Sequence, residues 1–209
     1  MASKNTVITI ARMYGSGGRT IAEALSKKLN IPFYDKDLIK LASEESGINE
    51  ALFANADEKS KAGFLGRIIK EVYNDDDIIS PDSKDYTSEK NLFNIQAKVI
   101  KKLADTQDCI IVGRCAEYIL KDYDNVLSVF IHAPHDYCIE KAAEKKSLSY
   151  KELEEFVNKT NRQKEEYHLK YTGTNWADAR NYDLCLDSSK LGFERCVDEI
   201  IAYMDVRFK

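Results

Sequence analysis

The sequence contains no apolar stretch near the roughly 18 consecutive residues that indicate a membrane-spanning helix. It has no signal-peptide pattern either, because residues 1–5 lead almost directly into a short β-branched run. An excess of positive charge is also missing, since 31 Lys and Arg against 35 Asp and Glu give a net charge of −4. Nucleic-acid binding depends on many cations that neutralise phosphates. We therefore expect a cytoplasmic protein that binds neither membranes nor nucleic acid.

Regularly spaced cysteines are absent as well. The five cysteines form no C-x-x-C pair, and we interpret them as reduced thiols that mostly fill the core. The sequence also has no internal repeat. With 209 residues, of which 44% are hydrophobic, the chain is long enough for one domain with a sizeable core.

The most informative feature that is present is a cluster of three glycines within four residues, Gly15, Gly17 and Gly18. A β-branched strand precedes it, and an amphipathic helix over about residues 18–29 follows. Such a turn binds phosphate, because its backbone N–H groups and about half a positive charge at the helix start favour an anion. The sequence predicts that this segment holds the phosphates of a nucleotide, through Arg12, Tyr14, Gly15, Ser16, Gly17, Gly18, Arg19 and Thr20.

The turn lacks the lysine that normally completes a phosphate-binding loop of the form G-x-x-x-x-G-K-[ST]. When the sequence is aligned on Gly17, Arg12 stands at the first glycine position and Gly18 at the lysine position. Phosphate binding follows from the turn itself, whereas phosphoryl transfer needs a replacement cation. We expect Arg19 or Arg12 to face the donor phosphates.

Strands alternate with helices along the rest of the chain. Short apolar strands are predicted at residues 31–34, 109–112, 126–131 and 182–186, and helices at about 36–46, 49–73 in two pieces, 88–105, 135–170 with a break, and 192–208. This order indicates a parallel α/β sheet, in which ligands bind at the carboxyl ends of the strands. The glycine turn, Asp35, Arg114 and His132 should therefore surround one crevice.

Five segments together carry a family resemblance. They are Ile8-Thr9-Ile10, Gly15-Ser16-Gly17-Gly18-Arg19, Phe33-Tyr34-Asp35-Lys36-Asp37, Val112-Gly113-Arg114-Cys115-Ala116 and Asn181-Tyr182-Asp183-Leu184-Cys185-Leu186-Asp187-Ser188. In this order they resemble the cytidylate kinase-like family, which is related to the nucleoside monophosphate kinases. The resemblance spans nearly the whole chain.

The resemblance implies a three-layer P-loop kinase fold with a central parallel sheet, built as a single domain over residues 1–209. Its core would comprise about residues 1–35, 88–148 and 181–209, its helical monophosphate-binding insertion about 36–87, and its helical lid about 149–180. It also implies ATP with Mg²⁺ as the donor and CMP or dCMP as the acceptor. The acceptor-binding residues would be Asp35, Lys36, Asp37 and Arg114, and the catalytic cations Arg19, Arg114, Arg162 and Lys164.

The chain departs from the family pattern at several of these positions. Cys115 stands where an aspartate follows the Gly-Arg pair, and Asn161-x-x-Lys164 replaces the Asp-x-x-Arg pair of the lid. These changes keep two alternatives open: a kinase of another small metabolite, and a nucleotide-binding regulatory module with little catalysis. The sequence does not indicate an oligomeric state.

Some of these residues also have purely structural interpretations. Asp35 could cap the helix that follows it rather than bind a ligand. Arg114 could form a surface ion pair, although its place directly after a buried strand favours a functional role. His132 and His135 have the spacing of metal ligands, but no third ligand accompanies them, and we predict no protein-bound metal site.

Overall fold

The predicted parallel sheet is present in the computed structural model, which describes residues 5–58 and 78–208. Its strands are β1 (Val7–Arg12), β2 (Phe33–Tyr34), β3 (Cys109–Val112), β4 (Val126–His132) and β5 (Leu184–Asp187). All four pairings are parallel, in the order β2-β3-β1-β4-β5. The central strand β1 is flanked by β3 and β4, so its register places Val7 opposite both Cys109 and Val126.

Helices cover both faces of this sheet. The described helices are α1 (Gly18–Leu29), α2 (Asp37–Ser46), α3 (Glu50–Glu58), α4 (Glu89–Thr106), α5 (Ala116–Ile119), α6 (His135–Ala143), α7 (Tyr150–Thr172) and α8 (Ser188–Phe208). One apolar layer joins the sheet to α1 and α8, and the other joins it to α2, α3, α4 and α5. The fold is therefore the three-layer α/β arrangement expected from the sequence.

The side chains of β1 show why the two layers form. Successive strand residues point to opposite faces, so Val7 packs in the layer of α4, whereas Ile8 and Ile10 pack in the layer of α1 and α8. All three are fully buried. Continuous apolar runs of this kind are typical of a parallel sheet that is covered on both faces.

Helix boundaries agree closely with the sequence prediction where a specific signal ends the helix. The α1 helix begins and ends at the predicted residues, and Asn30 closes it in the left-handed conformation. The α8 helix begins at Ser188 rather than at 192, with a kink at Gly192 inside it. The second half of the helical segment predicted at 49–73 lies outside the described residues.

Candidate functional site

The glycine turn connects β1 to α1 at the carboxyl edge of the sheet. Gly15 and Gly17 adopt left-handed φ angles of +85° and +80°, which glycine allows without strain. The buried hydroxyl of Ser16 anchors the turn by donating hydrogen bonds to the carbonyl oxygens of Met13 (2.9 Å) and Ile131 (3.0 Å). Among the described residues, no atom accepts a hydrogen bond from the N–H groups of Gly15, Gly17 or Gly18. Unpaired N–H groups at a helix start form an anion-binding concavity.

The glycines are also required by close packing. A Cβ atom on Gly15 would lie 2.7 Å from Cα of Cys138 in α6, and one on Gly17 would lie 2.9 Å from Cδ1 of Phe193 in α8. Both distances are shorter than real Cβ contacts allow. The glycine pattern therefore has a packing cause in addition to the phosphate binding that the sequence suggested.

Asp35 follows β2 and is the centre of an ion-pair cluster. Its Oδ1 lies 3.3 Å from Nη2 of Arg12, and its Oδ2 lies 3.2 Å from Nη1 of Arg19. The alternative interpretation of Asp35 as a helix cap is wrong, because the N-cap of α2 is Lys36 and no side chain caps that helix. The ion pairs instead connect the ends of β1 and β2 across the end of β3.

Arg12 and Arg19 differ in their surroundings. The Arg12 side chain is 22% exposed, and burial lowers the pKa of its guanidinium. The Arg19 side chain is 51% exposed and donates a 3.0 Å hydrogen bond from Nε to Glu23, one turn further along α1. Arg12 thus lies inside the crevice, whereas Arg19 lies on its rim.

A cavity of about 200 Å³ opens beside the turn, at the carboxyl ends of β1, β2 and β3. Three cationic side chains line it, those of Arg12, Arg114 and Lys164, together with the carboxylates of Asp35 and Glu117. Asp35 pairs with Arg12 at 3.3 Å, whereas Glu117 contacts His168 at 3.0 Å. The remaining lining residues are Gly113, Cys115, Thr160, Gln163, Tyr167, His168 and Trp176.

Lys164, on α7, is half-buried and contacts both β1 and two aromatic rings. Its Nζ donates a 3.1 Å hydrogen bond to the carbonyl oxygen of Arg12 and lies 5.8 Å and 5.7 Å from the rings of Tyr14 and Trp176. Burial, reinforced by the charge of Arg12, lowers the pKa of Lys164 well below its ordinary value. Burial also lowers the pKa of Arg114. A bound anion would stabilise the charged form of all three cations.

Helix α7 forms one wall of the cavity and contacts the glycine turn. The N–H of Tyr14 donates a 2.7 Å hydrogen bond to Oδ1 of Asn161, which is buried. Asn161, Lys164 and His168 are spaced at i, i+3 and i+7, so they lie on the same helix face. The i, i+3, i+7 spacing of these polar residues is the sequence signal that could have placed Asn161 and His168 beside Lys164 at the site.

A buried Glu117–His168 pair joins α5 to α7. Nε2 of His168 lies 3.0 Å from Oε1 of Glu117, and both side chains are only 3% exposed. Nδ1 of His168 lies 3.1 Å from the carbonyl oxygen of Thr174, which can only accept a hydrogen bond. Both residues were missed by the sequence analysis. Behind the pair lies a larger cavity of about 440 Å³ that no residue of the glycine turn lines.

The segment after β3 has an unusual backbone. Arg114 and Cys115 adopt left-handed φ angles of +61° and +55°, directly after Gly113 at +78°. Each such non-glycine residue costs roughly 1–2 kcal/mol relative to the right-handed form. This backbone brings the Arg114 side chain to the cavity and buries the Cys115 side chain against Phe93.

Other residues predicted for the site lie outside the cavity lining. Arg162 is 70% exposed on α7 and is paired with Glu166 at 2.8 Å. Lys36, Asp37 and Thr20 are exposed at helix starts around the crevice. The structure therefore brings together Arg12, Asp35, Arg114 and Lys164 from four different elements, but does not place Arg162, Lys36, Asp37 or Thr20 in the cavity wall.

Within residues 5–58 and 78–208, no group of three or more His, Cys, Asp or Glu side chains could hold a metal ion. Over the same ranges, no helix is long and apolar enough to cross a membrane.

Comparisons with known proteins identify the fold. The model of the cytidylate kinase-like family matches residues 7–190. An uncharacterized protein from Eubacterium ventriosum ATCC 27560 is 27% identical, with a TM-score of 0.71 over 97% of this chain and all of that one. No curated protein matches the sequence.

Shikimate kinases share the same architecture at low identity. The enzyme from Bacteroides thetaiotaomicron is 14% identical with a TM-score of 0.54, over 96% of this chain and 98% of that one. The enzyme from Acinetobacter baumannii, solved with shikimate, is 10% identical with a TM-score of 0.50, over 97% and 94% of the two chains. These similarities establish a P-loop kinase fold.

Proposed function

The chain belongs to the cytidylate kinase-like family, and from this premise we propose that it is an ATP-dependent phosphotransferase that phosphorylates CMP or dCMP. ATP with Mg²⁺ would occupy the glycine turn beside Arg12, and the acceptor monophosphate would occupy the cavity beside Arg114 and Lys164. Arg19 would contact the donor phosphates from the rim. Lys36 and Asp37 would border the acceptor outside the cavity wall.

The observation that carries this proposal is the position of the cationic cavity at the end of β1, where the glycine turn begins. Among the described residues, unpaired N–H groups of the turn and three half-buried cations lie at one edge of the sheet, and the cavity lining holds two carboxylates, Asp35 and Glu117. Such an excess of half-buried positive charge is costly without an anion. Two phosphate groups, one from each substrate, would neutralise it.

The chemistry that this arrangement supports is an in-line transfer. Phosphoryl transfer needs positioned reactants and positive charge around the transferred group, and it needs little covalent help from the protein. A phosphate acceptor is already ionised, so no strong base is required. We expect Mg²⁺ to bind chiefly through phosphate oxygens and water, as is usual for this ion.

The segment of about residues 149–180 would act as the lid. Two hydrogen bonds already connect its helix α7 to this region. Lys164 donates one to the carbonyl oxygen of Arg12, and Asn161 accepts one from the N–H of Tyr14. A lid held in this way would exclude water and so suppress hydrolysis of ATP. Arg162 points away from the cavity, so its proposed catalytic role requires its ion pair with Glu166 to open on substrate binding.

A kinase of another small metabolite is the second candidate. Cys115 is buried against Phe93, so the side chain after Arg114 offers no carboxylate to the acceptor, unlike the aspartate of the family pattern. A purely regulatory nucleotide-binding module is the third candidate, since the P-loop lysine is absent.

An acceptor panel separates the three candidates. The protein is incubated with Mg²⁺ and ATP, and ADP formation is followed with each nucleoside monophosphate and with hydroxyl-bearing metabolites such as shikimate. We expect ADP formation to depend on CMP or dCMP. Turnover with a hydroxyl acceptor alone would support the second candidate. ATP binding without turnover on any acceptor would support the third.

A further inference from the structure

Gly18 occupies the lysine position of the P-loop pattern, and its backbone does not explain why it is a glycine. Gly15, Gly17 and Gly113 have left-handed φ angles, but Gly18 does not. It is the first residue of α1, in a conformation open to any residue.

The explanation is the side chain of Arg12. A Cβ atom on Gly18 would lie 2.8 Å from Cγ of Arg12 and closer still to its Cβ. The space that a side chain at position 18 would occupy is therefore filled from β1. Further along, Cζ of Arg12 would lie 3.4 Å from a Cβ on Gly113, and Nη2 reaches Asp35. The first carbons of the Arg12 side chain thus pack against Gly18, and its guanidinium lies beside Gly113, directly after β3.

We propose that the glycine and the cation of the P-loop pattern have exchanged positions in this chain. Arg12, at the end of β1, supplies the phosphate-facing cation, and Gly18 stands where the lysine would be. The pattern G-x-x-x-x-G-K places glycine where this chain has Arg12 and lysine where it has Gly18. The two departures from the pattern are then linked, because Arg12 replaces the lost cation and Gly18 leaves room for the Arg12 side chain. This inference rests on the proposed function, because it assigns the cation that the donor phosphates contact.

The alternative cation, Arg19, is less suited to this role. Its side chain is half exposed and is shared between Glu23 and Asp35. Arg12 is more buried, and the carbonyl oxygen of its own residue accepts the Lys164 hydrogen bond from α7. Its planar guanidinium can also bind two phosphate oxygens in a fixed bidentate geometry, which the ammonium group of a lysine does not have.

The exchange is tested by reversing it. The measured quantity is the dissociation constant of the non-hydrolysable triphosphate AMP-PNP with Mg²⁺, and the melting temperature reports folding. Arg12→Gly should weaken binding at least about tenfold, since a charge-assisted hydrogen bond contributes about 1.5–3 kcal/mol. Gly18→Lys alone should lower the melting temperature without improving binding, because the new side chain collides with Arg12. The double variant R12G/G18K should bind within about threefold of wild type.

Three further variants keep the test decisive. Arg12→Met fills the same space without charge and should lose binding as Arg12→Gly does, whereas Arg12→Lys should retain most of it. Lys28→Ala removes a cation from the exposed side of α1, where Lys28 pairs with Asp198, and should change nothing. A folded Arg12→Met variant that binds like wild type would overturn the inference, as would a folded double variant that binds no better than Arg12→Gly. Failure of the proposed function gives a different result: wild-type protein would then bind no AMP-PNP, or would bind it without turning over any acceptor.

Discussion

The backbone N–H of Tyr14 donates a 2.7 Å hydrogen bond to the side chain of Asn161, and this bond ties the glycine turn to α7. Asn161 is buried, so water does not readily replace its amide oxygen. The position of α7 and the shape of the glycine turn are therefore coupled.

Replacing Asn161 should release the turn locally. We expect Asn161→Ala to speed hydrogen exchange at the Tyr14 amide about five- to tenfold, because a buried N–H loses a bond of about 1–1.5 kcal/mol. Asn161→Asp retains an acceptor oxygen and should keep the protection. Asn158→Ala, an exposed change one turn away on α7, serves as the control. Equal protection of Tyr14 in Asn161→Ala and wild type would show that the bond does not hold the turn.

We expect Lys164 to lower the free energy of unfolding of the protein and yet to be needed for turnover. Burial lowers its pKa in the native state, whereas the pKa in the unfolded chain is about 10.4. Between those two values the unfolded state binds more protons than the native state, so this group makes stability rise with pH across that window. Lys164→Met should remove this rise, increase the free energy of unfolding at neutral pH and reduce turnover. Urea unfolding at several pH values measures the first two effects, and a less stable Lys164→Met variant would contradict the account.

Arg114 combines a strained backbone with a side chain that we propose to contact the acceptor, and two variants separate these properties. Arg114→Ala and Arg114→Gly both remove the guanidinium, so both should raise the KM of the acceptor without weakening AMP-PNP binding. The glycine variant should be more stable by about 1 kcal/mol, because glycine accepts the φ of +61° without a Cβ clash. If AMP-PNP binding fell and the acceptor KM did not, the donor and acceptor halves of the crevice would be assigned the wrong way round.

The Glu117–His168 pair should contribute to stability through its buried hydrogen bond. Glu117→Leu leaves Nε2 of His168 without a partner in a buried position and should cost about 3 kcal/mol or more. Glu117→Gln keeps the shape and supplies an N–H donor, so its cost should be smaller. Urea unfolding of both variants measures the difference, and equal costs would indicate that packing alone matters there.

The sequence predicted the architecture well and the side-chain partnerships poorly, for physical reasons. The apolar runs of β1, β3 and β4 and the face of α1 are local patterns, and the structure confirms them nearly to the residue. The ion pair of Asp35 depends on Arg12, 23 positions away, so the local pattern left a helix cap open as an alternative to ligand binding. The charged character of residues 140–170 similarly obscured the buried polar row of α7.

The contact between Arg12 and the space beside Gly18 is another partnership that the local sequence pattern did not predict. Both departures from the P-loop pattern are visible in the sequence, but only the distance between their side-chain positions shows that one accommodates the other. A reading of local pattern therefore left Arg12 and Arg19 as equal candidates.

The central claim is that the glycine turn and the cationic cavity are the donor and acceptor halves of one crevice. A bisubstrate compound with adenosine and cytidine joined by five phosphates tests it directly, by isothermal titration with Mg²⁺. Occupation of both halves by one molecule should make it bind at least about 100-fold tighter than ATP or CMP alone. Arg114→Ala should remove most of that advantage while leaving ATP binding intact. An affinity no greater than that of ATP would contradict the account, since the two halves would then not face each other.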